Sequence, residues 1–94
     1  MDLLGMLKTD LMITTTAYDE RLTQILAAAE AAIKAEGVTT LDTSTAIDAE
    51  LVVIYAAWLW RRRDDMSGMP RMLRWNLNNR VFSEAMGGGN NGAG

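Results

Sequence analysis

The sequence predicts an all-α fold: a small bundle of about four helices, with two long antiparallel helices and shorter terminal helices. Apolar residues recur at spacings of three and four, alanine-rich segments have high helix propensity, and glycine, proline or threonine residues separate these segments. A chain of 94 residues has room for a single hydrophobic core. We therefore expect one helical domain over residues 1–85 and a flexible tail over residues 86–94.

Capping residues and one apolar face each mark the first two helices. Asp2 can cap a short helix that ends near Met12. Its apolar positions are Leu3, Leu4, Leu7 and Leu11. Thr16, with Asp19 three residues later, fits the start of a second helix, and Gly37 fits a left-handed cap at its end. The apolar face of this helix comprises Leu22, Ile25, Leu26, Ala29 and Ile33.

The third helix is apolar on all its faces. Ser44 or Thr45 can cap it, and we expect it to end near Asp65. Its core positions are Ile47, Leu51, Ile54, Tyr55 and Trp58, and its other faces carry Val52, Val53, Leu59 and Trp60. Such a helix has to be buried on every side, which predicts that part of this surface, including Trp60, contacts another subunit. The alternative is that Trp60 lies beneath a loop of its own chain.

The fourth helix is expected from Pro70, a residue suited to a first helical turn, to Ala85. Leu73, Leu77 and Val81 form one apolar face at a spacing of four. Trp75 and Phe82, seven residues apart, form another face and predict a second partner. The tail after residue 85 contains five glycines and two asparagines. It has little to bury that would offset the entropy of ordering, so we expect it to be flexible in isolation.

The charge is distributed unevenly along the chain. Residues 1–60 carry three basic side chains and nine carboxylates, whereas residues 61–80 carry six arginines and two aspartates. Arg61, Arg62 and Arg63 can support the negative end of the third helix. Equally, they can join Arg71 and Arg74 in a basic patch that binds carboxylates or a DNA backbone. A pI near 4.7 argues against general affinity for nucleic acid.

Two residue types that support much of enzyme chemistry are missing from the sequence. With no cysteine and no histidine, the chain lacks the usual neutral-pH base, the commonest zinc ligand and the Ser-His or Cys-His nucleophile pair. We therefore expect no enzymatic activity, no cofactor and no metal. The longest apolar run, Leu51 to Trp60, is too short to cross a membrane, and the first residues do not fit a signal peptide. The protein is expected to act where it is synthesised, without a membrane partner.

The order of these segments resembles the head-to-tail connector proteins of tailed bacteriophages. The similar segments are L-L-G-M-L-K-T-D-L-M-I (Leu3 to Ile13), Y-D-E-R-L-T-Q-I-L-A-A-A-E-A-A-I-K-A-E-G (Tyr18 to Gly37), L-V-V-I-Y-A-A-W-L-W-R-R-R (Leu51 to Arg63) and Met69 to Phe82. The resemblance covers about residues 2–83. It consists mostly of an apolar pattern, together with the single residues Lys8, Asp19 and Gly37.

This resemblance implies a structural virion protein. It implies a homo-oligomeric ring of about a dozen subunits under the portal vertex. A closed ring is how head-to-tail contacts between copies avoid forming open filaments. Such a ring extends the DNA channel without sequence-specific binding, contacts the portal protein above and receives the next connector or tail-completion protein below. The expected location is the head–tail joint of the virion, with the host cytoplasm as the place of assembly, for a free phage or a prophage. The family offers no catalytic residue.

The candidate interface combines aromatic residues with arginines, because tryptophan and arginine most often dominate binding energy. The subunit or portal interface is expected to include Trp60, Arg61, Arg62, Arg63, Arg71, Arg74, Trp75 and Phe82. One alternative is a small DNA-binding or regulatory module that uses the basic patch between Arg61 and Arg74. Its affinity for DNA would fall steeply with salt, whereas assembly through apolar burial would persist. A further alternative is a helical protein that pairs with one unrelated partner.

Overall fold

The protein is a bundle of four helices. The computed structural model describes residues 2–62 and 68–91, of which residues 87–91 are described by their backbone alone. The helices are α1 (Leu3–Leu11), α2 (Asp19–Ala35), α3 (Ala46–Arg61) and α4 (Arg71–Asn91), and no strand occurs in these two ranges. The predicted all-α fold is confirmed.

Helix α3 is the central element, and it packs against α1, α2 and α4. Its buried apolar residues are Leu51, Val52, Val53, Tyr55, Ala56 and Ala57. The prediction that α3 is buried on several faces is confirmed, and helices α1, α2 and α4 of the same chain bury much of its surface. Ile47 was expected in the core and is instead 76% exposed. Asp48, the next residue, takes the buried position because Arg80 of α4 binds its carboxylate, and this turns Ile47 outward.

Most of the predicted helix ends are confirmed. The Asp2 side chain accepts a hydrogen bond from the Gly5 backbone N–H at 3.0 Å, and that of Thr45 accepts one from the Asp48 N–H at 3.4 Å. Gly37 has a φ of 120°, which places it in the left-handed region favoured by glycine. Helix α3 ends at Arg61, and the end expected near Asp65 lies outside the described residues.

The predicted start of α2 is wrong. Helix α2 begins at Asp19, and Thr16 does not cap it. Residues 15–18 form turns instead, in which the Thr15 hydroxyl accepts a hydrogen bond from the Ala17 N–H at 2.9 Å. The Asp19 carboxylate pairs with Lys8 of α1 at 2.8 Å, so it is held towards α1 rather than back towards Thr16.

Helix α4 is longer than the sequence predicts. It has 21 residues, so only one of the two terminal helices is short, and its helical backbone reaches Asn91 rather than ending near Ala85. Pro70 precedes the helix and accepts a hydrogen bond from the Arg74 N–H at 3.0 Å. The contacts of Glu84 with the loop before α3 hold the second half of α4 and support its continuation. The flexibility of the tail stays a prediction.

Candidate interaction surface

The outer side of α4 carries a row of exposed apolar residues. Leu73 and Leu77, on the apolar face that the sequence predicts, are buried in the core, whereas Trp75 is 58% and Phe82 is 66% exposed. We call the residues on the outer side the outer stripe: Met72, Trp75, Asn79, Phe82 and Met86, all exposed. They are spaced three, four, three and four residues apart, the repeat that forms the seam between paired helices.

The outer stripe is large enough to matter for binding. A half-exposed aromatic side chain presents on the order of 100 Å². The two aromatic residues and the two methionines of the stripe therefore present about 400 Å², which is within the range of functional patches on monomers. Asn79, at the centre of the stripe, is its polar member.

Glu84 holds α4 against the loop between α2 and α3. Its carboxylate accepts hydrogen bonds from the backbone N–H groups and the hydroxyls of Thr39 and Thr40, all between 2.7 and 2.8 Å. The backbone N–H groups of Thr40 and Thr39 lower the pKa of Glu84 to about 2, and the two hydroxyls act in the same direction. This contact fixes the helix with the outer stripe on its solvent side.

Replacing Glu84 with glutamine is expected to weaken the dependence of stability on acid. As the pH falls, the unfolded chain binds this proton first, because the pKa is about 2 in the folded protein against an ordinary 4.5. The stability that Glu84 contributes is present above pH 4.5 and is lost between 4.5 and about 2.

Urea unfolding at a series of pH values in that window tests this prediction. The wild type should lose stability more steeply than Glu84→Gln. Some slope should remain in the variant, because Asp42, which accepts hydrogen bonds from the Ser44 side chain and backbone, also has a lowered pKa. Equal slopes in the two proteins would contradict the assignment.

A bidentate ion pair holds α4 at a second point. Arg80 donates from Nε to Asp48 Oδ1 at 2.7 Å and from Nη2 to Oδ2 at 3.2 Å. The Asp42 backbone N–H donates to the same carboxylate at 2.9 Å. Burial raises the pKa of Asp48, but the hydrogen bonds from Arg80 and Asp42 outweigh it and leave that pKa below its usual value. Glu84 of α4 contacts Thr40, before α3. Arg80, earlier in α4, contacts Asp48 in the first turn of α3. The contacts thus move forward along one segment as they move backward along the other, so the two helices run antiparallel.

The arginines of the predicted patch contact different parts of the molecule. Arg61 lies 3.9 Å from Asp10 of α1, Arg62 lies over the Trp58 ring at 5.0 Å, and Arg74 pairs with Glu36 after α2 at 3.3 Å. Arg71 is exposed and has no hydrogen bond or ion pair among the described residues. Arg63 lies outside those residues. The described arginines therefore do not form one concentrated patch.

Trp60 is half-buried within its own chain. Its ring meets the Tyr18 ring edge-to-face at 5.4 Å. Because Tyr18 belongs to the connection between α1 and α2, this contact supports the alternative in which Trp60 lies under a loop of its own chain. Trp60 therefore offers less free surface to another subunit than Trp75 does.

A groove that the sequence analysis missed lies between α3 and α4, with a cavity volume of about 610 Å³. On the α3 side it is lined by Ala46, Ile47, Glu50, Leu51 and Ile54, and on the α4 side by Asn76, Asn79, Arg80 and Ser83. We call it the α3–α4 groove. Ile47, which is 76% exposed, is one of its lining residues. The sequence signal that could have shown Ile47 facing outward is Asp48, a charged residue at the next position.

Among the described residues, no group of carboxylates is arranged to hold a metal ion, and no helix is long and apolar enough to cross a membrane. Comparison with protein-family models gives no match, and comparisons with curated proteins and with solved structures find no similar protein. The outer stripe and the α3–α4 groove are the surface features of the described residues that indicate a function.

Proposed function

We propose that this protein is a structural subunit of a head–tail connector ring in a tailed bacteriophage or prophage. The ring docks under the portal, extends the DNA channel and receives the next connector or tail-completion protein. The observation that carries the proposal is the outer stripe, an exposed apolar seam on a helix that is anchored on its other side.

The anchoring of α4 is the reason to interpret the outer stripe as an interface. Rotating α4 to bury Trp75 and Phe82 would break the bidentate Arg80 pair with Asp48 and the four hydrogen bonds to Glu84. Leu73 and Leu77 would leave the core at the same time. Because hydrophobic burial favours a partner over water, a second protein surface is the natural cover for this stripe.

Charge alone gives little support to contacts between copies of the chain. The first sixty residues are acidic and the segment 61–80 is basic, but Arg61, Arg74 and Arg80 face carboxylates of their own chain. Head-to-tail contacts between copies would therefore rely on the apolar outer stripe. Such head-to-tail contacts avoid open filaments when they close into a ring. The alternative DNA-binding module has less support, because Arg61 and Arg74 already face carboxylates of their own chain.

Assembly on a portal ring is the experiment that tests this function. The purified protein is mixed with the portal protein from the same genome, and the particle mass is measured by native mass spectrometry at low and at high salt. We expect a complex that carries a ring of copies and persists at high salt, because apolar burial drives it. Failure to bind the portal, together with DNA affinity that falls steeply with salt, would contradict the proposal.

A further inference from the structure

We propose that the outer stripe of one subunit packs into the α3–α4 groove of a second copy of this chain. In this arrangement α4 runs antiparallel to the neighbour's α3, and Trp75, Asn79 and Phe82 face Ile54, Glu50 and Ile47 of that neighbour. The inference rests on the proposed ring function and names the contact that builds the ring.

The groove has the composition needed to receive an apolar helix face. Its α3 side offers Ile47, Leu51 and Ile54 around Glu50, whereas its α4 side is polar and comprises Asn76, Asn79, Arg80 and Ser83. An apolar floor with a polar rim is the usual composition of a protein interface. An amphipathic helix lying in such a groove is a common mode of recognition, with anchors at spacings of three, four and seven.

The spacing of the two surfaces matches in one direction. On α3, Glu50 follows Ile47 by three residues and precedes Ile54 by four; on α4, Asn79 follows Trp75 by four and precedes Phe82 by three. When α4 is followed backwards, Phe82, Asn79 and Trp75 have the same spacing and the same apolar, polar, apolar order as Ile47, Glu50 and Ile54 on α3. The outer members of each set are seven residues apart, about 10.5 Å along a helix. An antiparallel alignment therefore brings all three positions into register at once.

The polar pair at the centre fixes this register. Glu50 is exposed and has no hydrogen bond or ion pair within the described part of the chain. The Asn79 amide has N–H donors that the Glu50 carboxylate can accept. A shift of one helical turn would place Glu50 against an apolar side chain, where burial of an unpaired charge is costly. A single polar position in an apolar seam is a known means of setting register.

The direction of packing also fits a closed assembly. Helices α3 and α4 of one subunit are antiparallel, so an α4 that opposes the neighbour's α3 runs parallel to the neighbour's α4. Rotation about an axis along the helices produces this relation between copies. Each subunit then presents its outer stripe to one neighbour and its groove to another, with the two surfaces adjoining at Asn79. The repeated contact forms a ring when the rotation between copies closes.

Cysteine cross-linking tests the contact, because the natural chain contains no cysteine. Two single variants, Glu50→Cys and Asn79→Cys, are prepared separately, mixed in equal amounts and oxidised, and the mixed disulfide is measured on non-reducing gels. We expect about tenfold more mixed product than from Asn79→Cys mixed with Ala28→Cys on the exposed side of α2, because docking raises the local thiol concentration. Circular dichroism checks that each variant is folded.

Two outcomes overturn the proposed contact, and ring formation by the wild type on the portal then shows whether the proposed function fails with it. A mixed disulfide at the level of the Ala28→Cys control overturns the proposed contact. Dominant cross-linking of Asn79→Cys with itself also overturns it, because two outer stripes would then face each other. If the wild type still forms a ring on the portal in either case, the proposed function stands; if it forms none, both fail.

Discussion

Replacing Arg80 with alanine is expected to lower the free energy of unfolding by about 3 kcal/mol, because it leaves the charge of Asp48 buried without its partner. Asp48 is 4% exposed, and its carboxylate then keeps the backbone N–H of Asp42 as its remaining donor among the described hydrogen bonds. Chemical denaturation followed by circular dichroism measures the change. The loss should appear as a lower midpoint of the transition.

A control on the same helix distinguishes the effect of leaving a buried charge unpaired from the effect of removing an exposed arginine. Arg74→Ala removes an ion pair whose side chains are 42% and 37% exposed, and it should cost less than about 1 kcal/mol. Adding Asp48→Asn to Arg80→Ala should recover part of the lost stability, since the buried charge is then gone. Equal effects of Arg80→Ala and Arg74→Ala would contradict the assigned role of the Asp48 pair.

Replacing both Trp75 and Phe82 with alanine is expected to abolish assembly while leaving the subunit folded. Both side chains are more than half exposed, so truncation should change the stability of the monomer by less than about 0.5 kcal/mol per residue. At the centre of an interface, the same truncations should each cost about 2 kcal/mol of binding energy or more. Native mass spectrometry with the portal, alongside thermal unfolding of the isolated protein, measures both effects.

Met12→Ala is the matched control, because Met12 is an exposed apolar residue that lies outside α4. It should leave assembly unchanged. Loss of helical signal in the double variant would place Trp75 and Phe82 in the core, where truncation costs about 3–5 kcal/mol each. Normal assembly by the double variant would remove the outer stripe from the interface.

The helices could be predicted because their signals are local. Asp2, Thr45 and Gly37 act at the ends of their own helices, and the apolar face of α2 needs only helical periodicity to be recognised. Thr16 failed as a cap for a tertiary reason. The ion pair between Lys8 and Asp19 orients the start of α2, and a pattern within one segment does not show a partner on another.

The interaction surface could be predicted only in part. The spacing of Trp75 and Phe82 indicated a second face of α4, and both residues are exposed. The groove was missed because Ile47 looked like a core residue, whereas the salt bridge between Asp48 and Arg80, thirty-two positions apart, makes Asp48 the buried neighbour. The charge pattern likewise did not show that Arg61 and Arg74 have acidic partners on separate elements.

We expect a folded subunit to keep an apolar face on α4 for another copy of itself. Sedimentation equilibrium over a wide range of concentrations, with the portal present and absent, measures this association. The mass should rise above the 10.3 kDa of one chain, and Trp75→Ala with Phe82→Ala should prevent the rise. A wild-type protein that stays at 10.3 kDa at every concentration, and that does not bind the portal, would contradict this expectation.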